Sequence, residues 1–343
     1  MIIRSKAPLR IGLAGGGTDV SPYSDLYGGI ILNATISMYA HATIEPLDTP
    51  EIVLIAADRG ETDILELAQV LSLDGGLILA KGIYNRIVAD FGVIKSGFKL
   101  TTYVDAPAGS GLGTSSTLVV AILGAFVEWL GLPLGDYDIA HLAYVIERED
   151  LKMAGGKQDQ YAATFGGINL MEFYANDKVI VNPLRIKQEY LYELDNNLLL
   201  YYTSTSRESA HIIERQSANV HDKKESSIEA MHQLKYQAVM MKEALLKGEL
   251  HSIGSILDFG FKHKKNMAQG ISNSLMDAIY ETALAHGATG GKISGAGGGG
   301  FMTFYCPGST RYQVIDALST FGGKIYNYHF TERGLTTWTV NNQ

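Results

Sequence analysis

An α+β fold in two lobes is predicted for this chain from three observations. Strand-like alternation and helix-like spacing are mixed along both halves, without the regular strand–helix repeat of a parallel α/β protein. The length, 343 residues, exceeds one simple core and divides best near residue 190, giving parts 1–190 and 191–343. A glycine-rich loop lies between a strand pattern and a long apolar helix pattern in the first part.

The elements follow in order. β-Branched and alternating residues bounded by Gly, Pro and Asp predict strands over 2–13, 30–36, 39–45 and 51–57. A helix is predicted over 77–91. Phe98, Leu100, Thr102 and Val104 alternate with Lys99, Thr101, Tyr103 and Asp105, a strand with two distinct faces. The apolar run 118–130 predicts a buried helix, and Ile139, Leu142, Ala143 and Ile146 a second one ending near Asp150. After Gly155-Gly156 comes a short segment, 157–165, closed by Gly166-Gly167. The second part opens on a strand over 198–203 and continues as helical patterns over 208–286. A strand over 301–305, a helix over 311–321 and strands over 324–330 and 335–340 complete it.

Composition excludes several function classes. The net charge is −8, from 28 basic and 36 acidic residues, which argues against nucleic-acid or anionic-membrane partners. Any phosphate must therefore be met by local donors. Cys306 is the sole cysteine, so no intrachain disulfide forms and a reducing compartment fits. The first residues lack the apolar core of a signal peptide, and the run 118–130 is too short for a bilayer and carries Glu128. A cytoplasmic location is expected. There is no H-E-x-x-H, no G-x-S-x-G and no second cysteine for a structural zinc site.

The stretch Pro107-Ala108-Gly109-Ser110-Gly111-Leu112-Gly113-Thr114-Ser115-Ser116 carries the strongest chemical signal. Glycines at alternate positions let backbone N–H groups approach a ligand closely. A helix starting near Thr114 adds unsatisfied N–H groups and the positive end of its dipole. Strand, glycine loop and helix together make a cradle for phosphate, and the hydroxyls suit a phosphate oxygen or Mg2+. No Gly-Lys-Ser/Thr ends the loop, so it is not the common NTPase P-loop, and the G-x-G-x-G spacing is not the dinucleotide fingerprint.

Three other stretches stand out, each with a bland reading beside the chemical one, and so does the single residue Glu147. Arg10 leads to the turn Gly15-Gly16-Gly17-Thr18-Asp19, which can expose bare backbone to a ligand and offer Asp19 to sugar hydroxyls, or can be a simple glycine hairpin. Lys157-Gln158-Asp159 follows the Gly155-Gly156 break, and Asp159 is either reactive or a carboxylate favouring a helix start. Glu147 lies at the edge of its helix's apolar stripe, where a metal or an arginine partner suits it better than water. Gly295-Ala296-Gly297-Gly298-Gly299-Gly300 marks a close backbone approach, as a second wall for phosphates or as loop packing.

In order along the chain, A-P-L-R-I-G-L-A-G-G-G-T-D, P-A-G-S-G-L-G-T-S-S and K-I-S-G-A-G-G-G-G-F resemble the motifs of the GHMP kinase superfamily over nearly the whole sequence. The first motif and G-K-Q-D-Q-Y-A-A resemble the sugar-1-kinase branch, D-glycero-D-manno-heptose 7-phosphate kinases above all, with the kinase part of fucokinases as near kin. The resemblance implies a ribosomal protein S5 domain 2-like N-lobe and a ferredoxin-like C-lobe, with ATP and sugar between them. It places the nucleotide phosphates on residues 109–116, with Pro107 also on the ATP side. It makes Asp159 the catalytic carboxylate with Arg10 as its partner, and Ser115 and Glu147 the Mg2+ ligands. Gly16, Gly17, Thr18, Asp19, Lys157, Gly297 and Gly298 fall on the sugar side.

The implied reaction is ATP-dependent phosphorylation of the anomeric hydroxyl of heptose 7-phosphate, in nucleotide-heptose synthesis. Kinases of L-fucose or another free sugar, and a non-catalytic sugar and ATP sensor, are the alternatives. Galactokinases carry Glu-His where this chain has Gly16-Gly17, and losing that charge and bulk suits a sugar with a distal phosphate. Arg207, in Thr203-Ser204-Thr205-Ser206-Arg207, is a further candidate donor to that phosphate, or a surface residue at a helix start. The sequence leaves the oligomeric state open, a homodimer among the options.

Overall fold

A computed structural model describes residues 1–205 and 210–341, so Arg207 lies outside the described residues. The first sheet has eight strands: β1 (Ile2–Ala14), β2 (Gly29–Leu47), β3 (Glu51–Ala56), β4 (Glu61–Glu66), β5 (Gly97–Val104), β6 (Ile168–Phe173), β7 (Val179–Pro183) and, from the far end of the chain, β12 (Thr336–Val340). Its main path runs β12-β1-β2-β5-β3-β4, with β6 and β7 continuing from the early half of β2. All pairs are antiparallel except β3 with β5, so the sheet is mixed.

The second sheet holds β8 (Leu198–Tyr202), β9 (Gly290–Ile293), β10 (Phe301–Tyr305) and β11 (Lys324–Tyr326) in the order β11-β8-β10-β9. Numbered within this lobe the order is 4-1-3-2, the ferredoxin-like arrangement that the resemblance implies. Together the sheets give the two-lobed α+β architecture expected from the sequence.

Two departures have simple causes. The predicted strands 30–36 and 39–45 are one 19-residue strand, because β2 changes partner along its length, from β6 to β5, while keeping β1 on its other edge. The chain's end does not stay with the second part: β12 pairs with Ile2–Lys6 of β1, so a division at 190 leaves one strand of the first sheet among the residues of the second part. The short strands β4, β6, β7 and β9 carry too little alternation to be read from sequence.

A bulge in β1 positions the first site residue. Pairing with β2 slips between Pro8 and Arg10. Before the slip, Ile3 and Ala7 pack with the helices Ile78–Phe91 and Thr114–Leu130. After it, Leu9, Ile11 and Leu13 pack toward the second lobe with Leu198, Leu200 and Met241. A bulge re-aims side chains in this way, and here it turns Arg10 inward, where it is buried.

Candidate active site

The predicted loop and helix form as expected. The helix Thr114–Leu130 begins straight after Gly113, and Thr117 N–H is the first to find an intrahelical carbonyl, that of Gly113, at 2.9 Å. The N–H groups of Thr114, Ser115 and Ser116 thus sit at the free, electropositive end. Gly113 has φ +80°, and a Cβ there would lie 3.0 Å from Asp159 Cγ, so this position needs glycine both for its conformation and for the carboxylate beside it. Leu112 is a core anchor whose carbonyl accepts from Arg10 N–H at 3.2 Å. Ser110 is buried and its carbonyl accepts from Phe301 N–H at 2.9 Å, tying the loop to the second sheet.

Arg10 and Asp159 meet. Arg10 Nε donates to Asp159 Oδ1 at 2.6 Å, and Arg10 Nη1 donates to Gly111 O at 2.6 Å. The Arg10 side chain is 4% exposed and that of Asp159 20%, so the carboxylate is held from behind and open in front. Asp159 stands in the first turn of the helix Gln158–Phe165.

Asp19 is buried beside them. Its Oδ2 accepts from Gln158 N–H at 3.0 Å, while Oδ1 has no partner. Burial raises its carboxyl above the ordinary range; the Gln158 bond opposes this and nearby Asp159 adds to it. A buried oxygen without a donor is what a sugar hydroxyl would satisfy.

Glu147 lies on a π-helical turn, Val145–Asp150, that continues the helix Asp136–Tyr144. Such widened turns redirect side chains inward. Glu147 Oε1 accepts from Ser115 Oγ at 2.7 Å and Oε2 from Ser116 Oγ at 2.6 Å. Gln160 Nε2 donates to Oε2 at 2.7 Å, and Arg148 Nη1 is 3.3 Å from Oε1. Among the described residues no three His, Cys, Asp or Glu converge on a point. One carboxylate with a neighbouring hydroxyl fits Mg2+ that arrives with phosphates, since this ion takes few protein ligands and completes its shell from water and phosphate oxygens. Ser115→Ala and Glu147→Gln are each expected to raise the Mg2+ concentration for half-maximal rate. Magnesium titrations that overlay the wild-type curve would remove both from the metal's environment.

These residues line one cleft of about 710 Å³, with Arg10, Gly17, Asp19, Gly109, Gly111, Gly113–Ser116, Glu147 and Asp159 all on its wall. Others fall elsewhere. Thr18 is buried and closes its own turn, with its hydroxyl 2.9 Å from Gly15 O and 3.0 Å from Ile30 O. Lys157 turns away to Asp177, at 2.7 Å, over the Tyr144 ring. Gly297 and Gly298 pack against Ile271, with Gly298 N–H donating to its carbonyl at 2.8 Å, and Gly295 and Ala296 are the residues of that loop that face the cleft. Pro107 accepts from Ser110 N–H at 3.2 Å and shapes the loop from behind. Sequence reading missed Arg148, Gln160 and Lys264. Arg148 adds contacts to Gly156 O at 3.3 Å and Ser116 Oγ at 3.2 Å.

Known proteins resemble this chain in both lobes. The profile for the GHMP kinases N terminal domain matches residues 79–167, and that for the GHMP kinases C terminal matches 241–324. A D-glycero-alpha-D-manno-heptose 7-phosphate kinase from Campylobacter jejuni is 48% identical over 338 residues, 98% of this chain and 99% of the relative. The crystal structure of a D-glycero-D-manno-heptose 1-phosphate kinase from Bacteroides thetaiotaomicron superposes with a TM-score of 0.85 at 45% identity, covering 99% of this chain and all of that one. Lactococcus lactis galactokinase complexed with galactose shares the fold at 18% identity, with a TM-score of 0.79 and coverage of 98% and 95% of the two chains. With both lobes matched and a relative near half identical along its full length, the chain belongs to the GHMP kinases.

Proposed function

We propose that the chain transfers the γ-phosphoryl group of ATP to the anomeric hydroxyl of D-glycero-D-manno-heptose 7-phosphate, giving the 1,7-bisphosphate and ADP. The single observation that carries this reading is the Arg10–Asp159 pair, bonded at 2.6 Å and facing the same cleft as the helix N-terminus at Thr114–Ser116. A carboxylate beside a phosphate cradle is what transfer to a hydroxyl requires.

Asp159 takes or orients the hydroxyl proton as the sugar oxygen bonds to the γ-phosphorus and the bond to the β-phosphate oxygen breaks. Arg10 fixes the carboxylate and, through Gly111, the loop that carries the donor. The loop and helix N–H groups meet the charge on the phosphoryl oxygens. Ser115 and Glu147 would hold Mg2+ arriving with the nucleotide, and the ion would supply further charge neutralisation on the phosphates. Asp19 orients the sugar through its unpartnered oxygen.

The heptose phosphate is drawn from the Campylobacter jejuni relative at 48% identity. No helix among the described residues is long and apolar enough to cross a membrane, and a cytoplasmic enzyme would meet ATP directly. An ADP-release assay with heptose 7-phosphate, L-fucose and galactose tests the reading. Heptose 7-phosphate is expected to give the highest kcat/KM. Efficient turnover of fucose with none of heptose 7-phosphate would replace it by a free-sugar kinase.

A further inference from the structure

Two lysines near the acceptor end of the cleft have no ion-pair partner among the described residues. Lys264 ends the helix Ile253–Lys264, and Lys292 lies on β9. They are 5% and 6% exposed. Lys264 Nζ donates to Gly295 O, and Lys292 Nζ to Gly12 O at 2.6 Å. Among the described residues no carboxylate lies within ion-pair distance of either ammonium, although each retains N–H donors beyond its one bonded carbonyl. They flank one small space, because a Cβ placed on Gly16 would lie 3.7 Å from Lys264 Nζ and 3.9 Å from Lys292 Nζ. Arg10 brings a third positive charge close enough to act on both.

The arrangement is costly without a ligand. Burial first, then Arg10, pushes the Lys264 ammonium down to about 8, with Asp19 opposing. Burial, then Lys264 and Arg10, pushes Lys292 down strongly. Two amines buried side by side next to Arg10, in a chain of net charge −8, are not a general property of its surface; an anion between them would favour their protonated, donor-rich forms. The space is on the acceptor side: it belongs to the turn Gly15–Asp19, and Lys264 shares the cleft wall with Asp19 and Asp159.

We infer that Lys264, with Lys292 beside it, seats the phosphate group that the acceptor sugar already carries, and so makes the enzyme select phosphorylated over free sugar. The inference rests on the proposed heptose-phosphate reading and adds the residues that enforce it. The other source of a phosphate here is the transferred group of ATP, because Gly295, to which Lys264 is bonded, packs on Gly111 of the nucleotide loop.

The test is the ratio of kcat/KM for D-glycero-D-manno-heptose 7-phosphate to that for the unphosphorylated heptose, in wild type, Lys264→Met and Lys292→Met. Lys264→Met is expected to lower the ratio by about 10²-fold, mainly through KM of the phosphorylated sugar, with KM for ATP within about twofold of wild type. Lys292→Met should lower it in the same direction. Structural damage, or a role on the transferred phosphoryl group, would reduce both acceptors alike, and an unchanged ratio overturns the inference. The thermal midpoint of Lys264→Met without ligand should rise, since a buried unpaired cation has been removed, and heptose 7-phosphate with a non-hydrolysable ATP analogue should no longer raise it as in wild type. Failure of the function itself looks different. A wild-type enzyme that favours the free sugar rejects the heptose-phosphate reading and the inference with it. A wild-type preference for the phosphorylated sugar that survives both substitutions rejects the inference alone.

Discussion

Asp159→Asn is expected to lower kcat by about 10²-fold or more while nucleotide binding persists. The change is nearly isosteric, and Asn Oδ1 can still accept from Arg10 Nε, now 2.6 Å from the carboxylate. What is lost is the negative charge that, in the proposed mechanism, draws the proton from the attacking hydroxyl. The folding cost is limited because the Asp159 side chain is 20% exposed and the bond to Arg10 survives in neutral form, about 1–3 kcal/mol for weakening a charge-assisted bond. Stopped single turnovers with a fluorescent ATP analogue separate binding from chemistry, and thermal unfolding checks the fold. Near-normal turnover at matched stability would remove Asp159 from the reaction.

Much of the site was legible because its residues lie in short motifs whose local geometry follows from sequence. Gly109–Ser116 reads as a phosphate cradle from glycine spacing and the helix that follows, and the structure has the glycine loop and the helix start where that reading puts them. The pairing of Arg10 with Asp159 bridges 149 positions, and no local rule supplies it; the resemblance did. The bulge that aims Arg10 depends on the register of β1 against β2, which alternation alone does not set. Lys157 shows the reverse: it sits two residues from Asp159, yet its side chain leaves for Asp177 because the chain is only then entering a helix.

Lys264 was hidden by its company. The run Lys262-His263-Lys264-Lys265 looks like a solvated, dipole-favoured helix end. Helical spacing tells otherwise, since Leu257, Gly260 and Phe261 are buried and position 264 continues their stripe. A charged residue on the buried stripe of a helix is the signal that could have found it. Lys292 stands in K-I-S-G-A-G, and its burial follows from the strand Gly290–Ile293, which is too short to show a buried face in sequence.

Gly16→Glu should act as a built-in competitor for the sugar's phosphate. Galactokinase-like kinases carry a Glu-His pair where this chain has Gly16-Gly17, and the structure separates the two positions. Gly17 has φ +103°, and a Cβ there would lie 2.7 Å from Met267 Cε, so a His at 17 strains the turn before it tests anything. Position 16 lies outside the left-handed region, and among the described residues the only atoms beyond its chain neighbours within 4 Å of a Cβ there are the two lysine nitrogens. A glutamate at 16 would therefore enter the space beside Lys264 and Lys292 and pair with them. Two charge-assisted bonds to a phosphate, each about 1.5–3 kcal/mol, would be replaced by repulsion from the new carboxylate, an expected loss of at least 10²-fold in kcat/KM for heptose 7-phosphate. The free heptose should lose far less, ATP binding little, and the unliganded protein should gain thermal stability from its newly paired lysines. Gly16→Ala is the control for bulk: it adds the Cβ without the charge and should keep most of the preference for the phosphorylated sugar. If Gly16→Ala and Gly16→Glu impair that sugar equally, the space is restricted by shape alone and the lysines do not read the phosphate; a loss confined to the glutamate ties the selection to charge.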